Sequence, residues 1–98
     1  MASVFLSYDR DDAEAAKYIA GALEKAGHRV WWDRWIRGGS EFSEEIERAL
    51  DDADSVVVLW SRQSVKSPWV RDEAAAGRDK GCLVPAIIEP VQPPLGFR

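Results

Sequence analysis

Cysteine and histidine are almost absent from this chain of 98 residues, in which Cys82 and His28 each stand alone. A single cysteine cannot close an intrachain disulfide, and neither residue has partners at metal-ligand spacing, so no metal site is expected. No apolar run approaches the ~20 residues that cross a bilayer. The start carries no basic segment followed by an apolar core, which excludes a signal peptide and makes a cytoplasmic setting the expectation, with no membrane segment in this chain. Basic clusters are lacking too. The chain's 13 Lys and Arg against 17 Asp and Glu give a net charge of −4 without a basic run, so nucleic acid is not an expected partner. Repeats and low-complexity segments are also missing.

What is present is a single domain with five Trp residues, a large share of the apolar surface that so short a chain can bury. Ala2 to Ser7 reads as a strand, and Asp9, Asp11 and Asp12 after it suit a helix N-terminus. Ala15, Ala16, Ile19, Ala20, Leu23 and Ala26 recur near a period of 3.6 up to Gly27. His28 to Trp32 is a second strand, Arg34 to Gly39 a loop, and Ser40 to Glu44 the cap and first turn of a helix through Ile46, Ala49 and Leu50. Ser55 to Trp60 is a third strand, Ser61 to Ser67 a loop, and Pro68 a helix start, with Gly77 or Gly81 at its end. Leu83 to Ile88 is a fourth strand. This alternation predicts right-handed βαβ units: an α/β, flavodoxin-like three-layer sandwich with a parallel sheet. Because the tail from Pro90 to Arg98 ends without a helix, the expectation is one domain over 1–98 excised from a longer protein.

The helix that opens at Pro68 carries Trp69 and Glu73 four residues apart, hence on one face. It follows a strand, on the side of the sheet where α/β proteins bind ligands. Glu73 could also be a solvated carboxylate paired with Arg71 or Lys80, and Trp69 could be core, site or both. Trp31, Trp32 and Trp60 alternate with smaller residues, as packing residues do. Trp35 sits in a loop, where an indole suits an interface. Arg10 and Asp33 have capping or turn roles as alternatives. His28 reads as a turn residue, and Cys82 as a small buried apolar group. A Ser-His-acid triad has no support, and the turn Ser7-Tyr8-Asp9-Arg10 lacks the glycines of a Rossmann dinucleotide fingerprint.

The order of these motifs resembles a Toll/interleukin-1 receptor (TIR) domain over essentially the whole chain. It runs from Phe5-Leu6-Ser7-Tyr8 to Trp32-Asp33-Arg34-Trp35-Ile36 with Gly38-Gly39 and Phe42, then Leu59-Trp60-Ser61, then Trp69 to Glu73. Val57 to Ser61 and the abundance of Trp look like the bacterial branch. TIR domains usually continue through a fifth strand and a last helix. The resemblance implies self-association with other TIR domains and, in many members, cleavage of NAD+ to nicotinamide and linear or cyclic ADP-ribose. NAD+ is then substrate, and no cofactor is needed. It further implies that Glu73 is the catalytic glutamate with Trp69 beside it, and that Tyr8, Asp9 and Arg10 border the nucleotide site. Asp33 to Phe42 form a gating loop, with Arg34, Trp35, Ile36 and Arg37 at an interface. Bacterial relatives serve antiphage defence or host interference. Two readings therefore stand, a NAD+ hydrolase activated by assembly and a non-catalytic interaction module. A receiver-like domain is a third, but no strand-end aspartate and later lysine fall in place for it.

Overall fold

Strands and helices alternate up to Ile87 among the residues that the computed structural model describes, 1–33 and 44–98. β1 (Ser3–Ser7) leads through a 3-10 turn (Arg10–Asp12) into α1 (Ala13–Lys25), and β2 (Arg29–Trp31) follows. Next come α2 (Glu44–Asp52), β3 (Ser55–Trp60), a second 3-10 turn (Ser64–Lys66), α3 (Pro68–Asp79) and β4 (Leu83–Ile87). The four strands are parallel in the order β2-β1-β3-β4. Since β1 joins first to β2 on one side and the chain then crosses to β3 on the other, the strand order reverses beside β1. In doubly wound sheets the ligand crevice opens at that point, outside the carboxyl ends of the strands. The architecture is the flavodoxin-like three-layer sandwich expected from the alternation.

Alternation along the two central strands sorts their side chains into two cores. Leu6 and Leu59, with Tyr8 just beyond β1, pack with Ala16 and Ala20 of α1. Phe5 and Val56 face the other way, against Ile46 of α2, and Phe5 stacks on Trp31 with ring centroids 4.9 Å apart. Val58 and Trp60, on the same face, meet Val70 and Ala74 of α3. The central strands are buried on both faces, which is why they read as near-continuous apolar runs. Arg34 to Phe42, including Gly38-Gly39 and the expected cap at Ser40, lie outside the described residues.

Several boundaries differ from the sequence reading by a residue or two, as helix and strand ends commonly do. Ala2, His28, Trp32 and Ile88 flank their strands; Ala2 N–H donates to Nδ1 of His28 at 3.2 Å instead of joining a ladder. The loop from Ser61 to Ser67 contains a 3-10 turn, because Ser61 and Ser64 supply their own hydroxyls as backbone partners. Cys82 is half-buried, not buried, and packs at the margin of the α2 core. Gly81, at φ 74°, follows the end of α3 in the left-handed conformation that glycine adopts without steric penalty. Gly77 does not end the helix: it lies inside it, where a Cβ would sit 2.7 Å from Cβ of Val56. That missing methyl lets α3 lie against β3.

On β4 the proline has a positional logic. Val56 N–H donates to the Cys82 carbonyl, and Ile88 N–H to the Trp60 carbonyl, so even-numbered residues point their backbone groups at β3. Pro85 therefore sits at an odd position facing away from the sheet, where a missing N–H costs no ladder bond.

Gly77→Ala should lower unfolding free energy by about 1–3 kcal/mol through overpacking. Val56→Ala in the same chain should make the combined loss smaller than the sum of the two, a coupling readable in urea denaturation.

Candidate functional site

Ser7 ends β1, and its place in the alternation puts it with Phe5 on the α2 and α3 side of the sheet. Across from it, α3 buries Val70, Glu73, Ala74 and Gly77, a stripe at i, i+3, i+4 and i+7 that is apolar apart from one carboxylate. α3 begins after Ser67, whose hydroxyl caps Val70 N–H at 3.3 Å, while Pro68 at the first turn needs no N–H partner. These local features set the helix phase so that Glu73 meets the end of β1. The Ser7 hydroxyl donates to Oε1 of Glu73 at 2.7 Å, with Ser7 fully buried and Glu73 4 % exposed.

Burial at that level rules out the solvated-carboxylate reading of Glu73. Lys80, offered as its partner, instead places its Nζ within 3.0 Å of the carbonyls of Leu50, Asp51 and Ala53 at the end of α2. Trp69, one turn before Glu73, is half-buried against the cluster of Val58, Trp60, Val70 and Ala74, so it is both part of the core and partly open. Trp69 and Glu73 thus stand one turn apart on α3, with Glu73 at the carboxyl edge of the sheet beside the reversal of strand order.

Other anticipated residues fall around this pair in different ways. Tyr8 is fully buried and points into the α1 core, on the opposite face from Glu73, and its hydroxyl donates to the Trp32 carbonyl just beyond β2. It braces the two strand ends. Asp9 caps the first 3-10 turn: its carboxylate accepts from Asp11 N–H at 3.0 Å and its carbonyl from Asp12 N–H at 2.8 Å. Those turn amides are therefore bonded within the turn. Arg10 is exposed at the start of that turn and Asp33 is half-buried just past Trp32. Arg34, Trp35, Ile36 and Arg37 lie outside the described residues. Among the described residues no group of three or more His, Cys, Asp or Glu could hold a metal ion.

Sequence reasoning passed over a second polar assembly at the same edge. Ser61, directly after β3, donates its hydroxyl to Asp12 and accepts from Ser64 N–H at 3.0 Å, and Ser64 returns a bond to the Ser61 N–H at 2.7 Å. The network ties the start of α1 to the loop after β3. Beside it, Glu89 takes the Arg62 N–H and guanidinium, while beyond β4 the ring of Phe97 lies against Trp60, 5.4 Å between centroids, under the Arg78 guanidinium. Burial pushes the Asp12 carboxyl above its ordinary range; the Ser61 hydroxyl pulls it back down, and the nearby charges of Asp9, Glu89 and Asp11 push it up. The signal for Ser7 was in the sequence: a serine at the inward position two residues after Phe5.

A family model described as "TIR domain" matches residues 4–98. The chain belongs to the TIR domain family, and the doubly wound sheet and motif order agree with it. It is also similar to a disease resistance protein, RUN1, of Vitis rotundifolia, at 29% identity over 72 residues, which is 71% of this chain and 5% of that protein. The chain thus spans a small fraction of that relative's length.

Because the Asp12 carboxyl is raised in the folded state, the fold binds that proton more tightly than the unfolded chain does. The stability it contributes is present below the unfolded pKa and is lost as pH rises through the folded value. Asp12→Asn, which keeps an acceptor for Ser61, should therefore melt higher than the parent at pH 7, with the gap closing as the pH falls into the carboxylate range. Thermal melts at a series of pH values read this directly.

Proposed function

We propose that this TIR domain, of the bacterial type, hydrolyses NAD+ at the bond between nicotinamide and ribose and does so when copies of it associate. The observation that carries the reading is Glu73, a carboxylate buried in an otherwise apolar helix stripe and one turn from a half-open tryptophan. Taking a carboxylate out of water costs several kcal/mol. A carboxylate kept on the buried side of a helix, in a stripe that is otherwise apolar and one turn from an indole, fits a chemical role.

The reaction suits a single carboxylate. As the bond between the nicotinamide nitrogen and the ribose carbon breaks, its electron pair leaves with nicotinamide, which departs neutral and needs no proton. Positive charge develops on the sugar, as in glycoside hydrolysis. Glu73 would hydrogen-bond ribose hydroxyls and stabilise that charge, an effect strengthened in a site that excludes water. Water then adds to the sugar carbon and releases a proton, giving ADP-ribose; attack by a group of the nucleotide itself would give a cyclic product. Trp69 offers a flat wall whose ring face favours cationic character. Arg10 offers a guanidinium for the pyrophosphate, with Asp9 and Asp33 as the border of the site and Tyr8 bracing the ends of β1 and β2 behind it. Arg34 to Arg37 are assigned to contacts between copies from the sequence, and a cytoplasmic signalling or antiphage role follows from the family.

Nicotinamide release measured by chromatography should rise faster than protein concentration and disappear in Glu73→Gln, which retains an acceptor for Ser7. Absence of release from the assembled full-length protein would favour an interaction module that recruits other TIR domains without turnover.

A further inference from the structure

Neither the packing of the core nor the proposed reaction gives a role to the buried hydroxyl of Ser7. The other fully buried positions of β1 and β3 on the α2 and α3 side, Phe5, Val56, Val58 and Trp60, are apolar, while Ser3 at the start of β1 on that side is only half-buried. A small apolar side chain at position 7 would continue that core. Instead a fully buried hydroxyl faces a buried carboxylate at 2.7 Å, the length of a charge-assisted bond. In this bond the serine O–H donates and the carboxylate oxygen accepts.

This arrangement constrains Glu73 in a way that its own helix does not. A glutamate side chain has three torsions, and on a helix surface it samples several rotamers. Ser7 is anchored in the sheet: it is paired with Val58 of β3, and β1 is paired on both sides at Val4 and Phe5. Anchoring Oε1 to that strand fixes one end of a rigid planar carboxylate, and with it the placement of Oε2. The reference point for the reacting group is thus the sheet.

We infer that Ser7 is a positioning residue for Glu73: its hydroxyl holds the carboxylate in the one orientation that supports cleavage, without touching substrate itself. The inference rests on the proposed NAD+ hydrolysis. A carboxylate misplaced by about 1 Å loses on the order of 100-fold in rate, while binding through the rest of the nucleotide is kept. The loss should therefore fall on kcat and not on KM.

The test compares the assembled full-length protein with its Ser7→Ala and Ser7→Thr variants, each shown to be folded by circular dichroism at the assay temperature. Ser7→Ala is expected to lower kcat about 10- to 100-fold with KM within about threefold, and Ser7→Thr, which restores a hydroxyl, to recover most of it. Equal kcat in the Ser7→Ala variant, or a change confined to KM, would overturn the inference. If threonine's methyl disrupts the strand, carbon-13 relaxation of the Glu73 side chain in the parent and Ser7→Ala proteins decides instead. That measurement also separates the two claims, since it needs no turnover. A carboxylate freed in Ser7→Ala, in a protein that never cleaves NAD+, sustains the positioning and sinks the hydrolase; an equally ordered carboxylate in both proteins sinks the positioning whatever the activity.

Discussion

The pairing of β1 with β3, in register from Val4 opposite Ser55 to Ser7 opposite Val58, is the constraint on which the rest of the molecule depends. Both strands are buried on both faces, so each residue has only one core that it can enter. A slip of one residue would exchange the faces of every side chain on β1. Leu6 would then confront Glu73, and Ser7 would enter the α1 core without its partner. The geometry of the candidate site is therefore enforced by the apolar neighbours of Ser7 more than by Ser7 itself. Gly77 completes this enforcement, since α3 can approach β3 closely enough to present Glu73 only where no methyl stands against Val56.

Two acidic groups lie at the carboxyl edge in different settings. Glu73 is withdrawn from water against a serine hydroxyl, whereas Asp12 is partly withdrawn among other carboxylates, with Ser61 as its donor. A domain of this size rests on a margin of a few kcal/mol, so the burial that raises the Asp12 carboxyl is a cost that counts at this end of the sheet. At the opposite end the Ser3 N–H donates to the Asp54 carboxylate, which is exposed and keeps its water.

The architecture was legible because its signals are periodic. Val56 to Trp60 had to be a strand buried on both faces, and Ala16, Ala20 and their neighbours had to line one side of a helix. Pro68 marked the start of α3 because its ring suits a first turn, and the Trp69 and Glu73 pair followed from helix geometry. What stayed hidden was the face on which each polar residue ends. The resemblance put Tyr8 beside the site with Asp9 and Arg10, and only the alternation along β1 shows that its side chain enters the α1 core. Gly77 was read as a possible stop because a glycine's role as a spacer depends on what lies opposite it, here Val56 from a distant part of the chain. The Ser61, Ser64 and Asp12 network was hidden for the same reason: serines separated from an aspartate by about fifty positions declare nothing until the sheet brings them together.

Pro85 has a meaning for growth of the sheet beyond β4. A strand laid along that margin would find outward N–H groups only at Leu83 and Ile87, four residues and roughly 13 Å apart, with a donor missing between them. Such a margin is a poor template for indiscriminate pairing, even though Val84 and Ile87 are 47% and 58% exposed. An added strand would have to be chosen by its side chains, since the backbone offers so few bonds. Selectivity is thereby transferred from the polymer's repeating amides, which every protein shares, to the two hydrophobic side chains that distinguish this one.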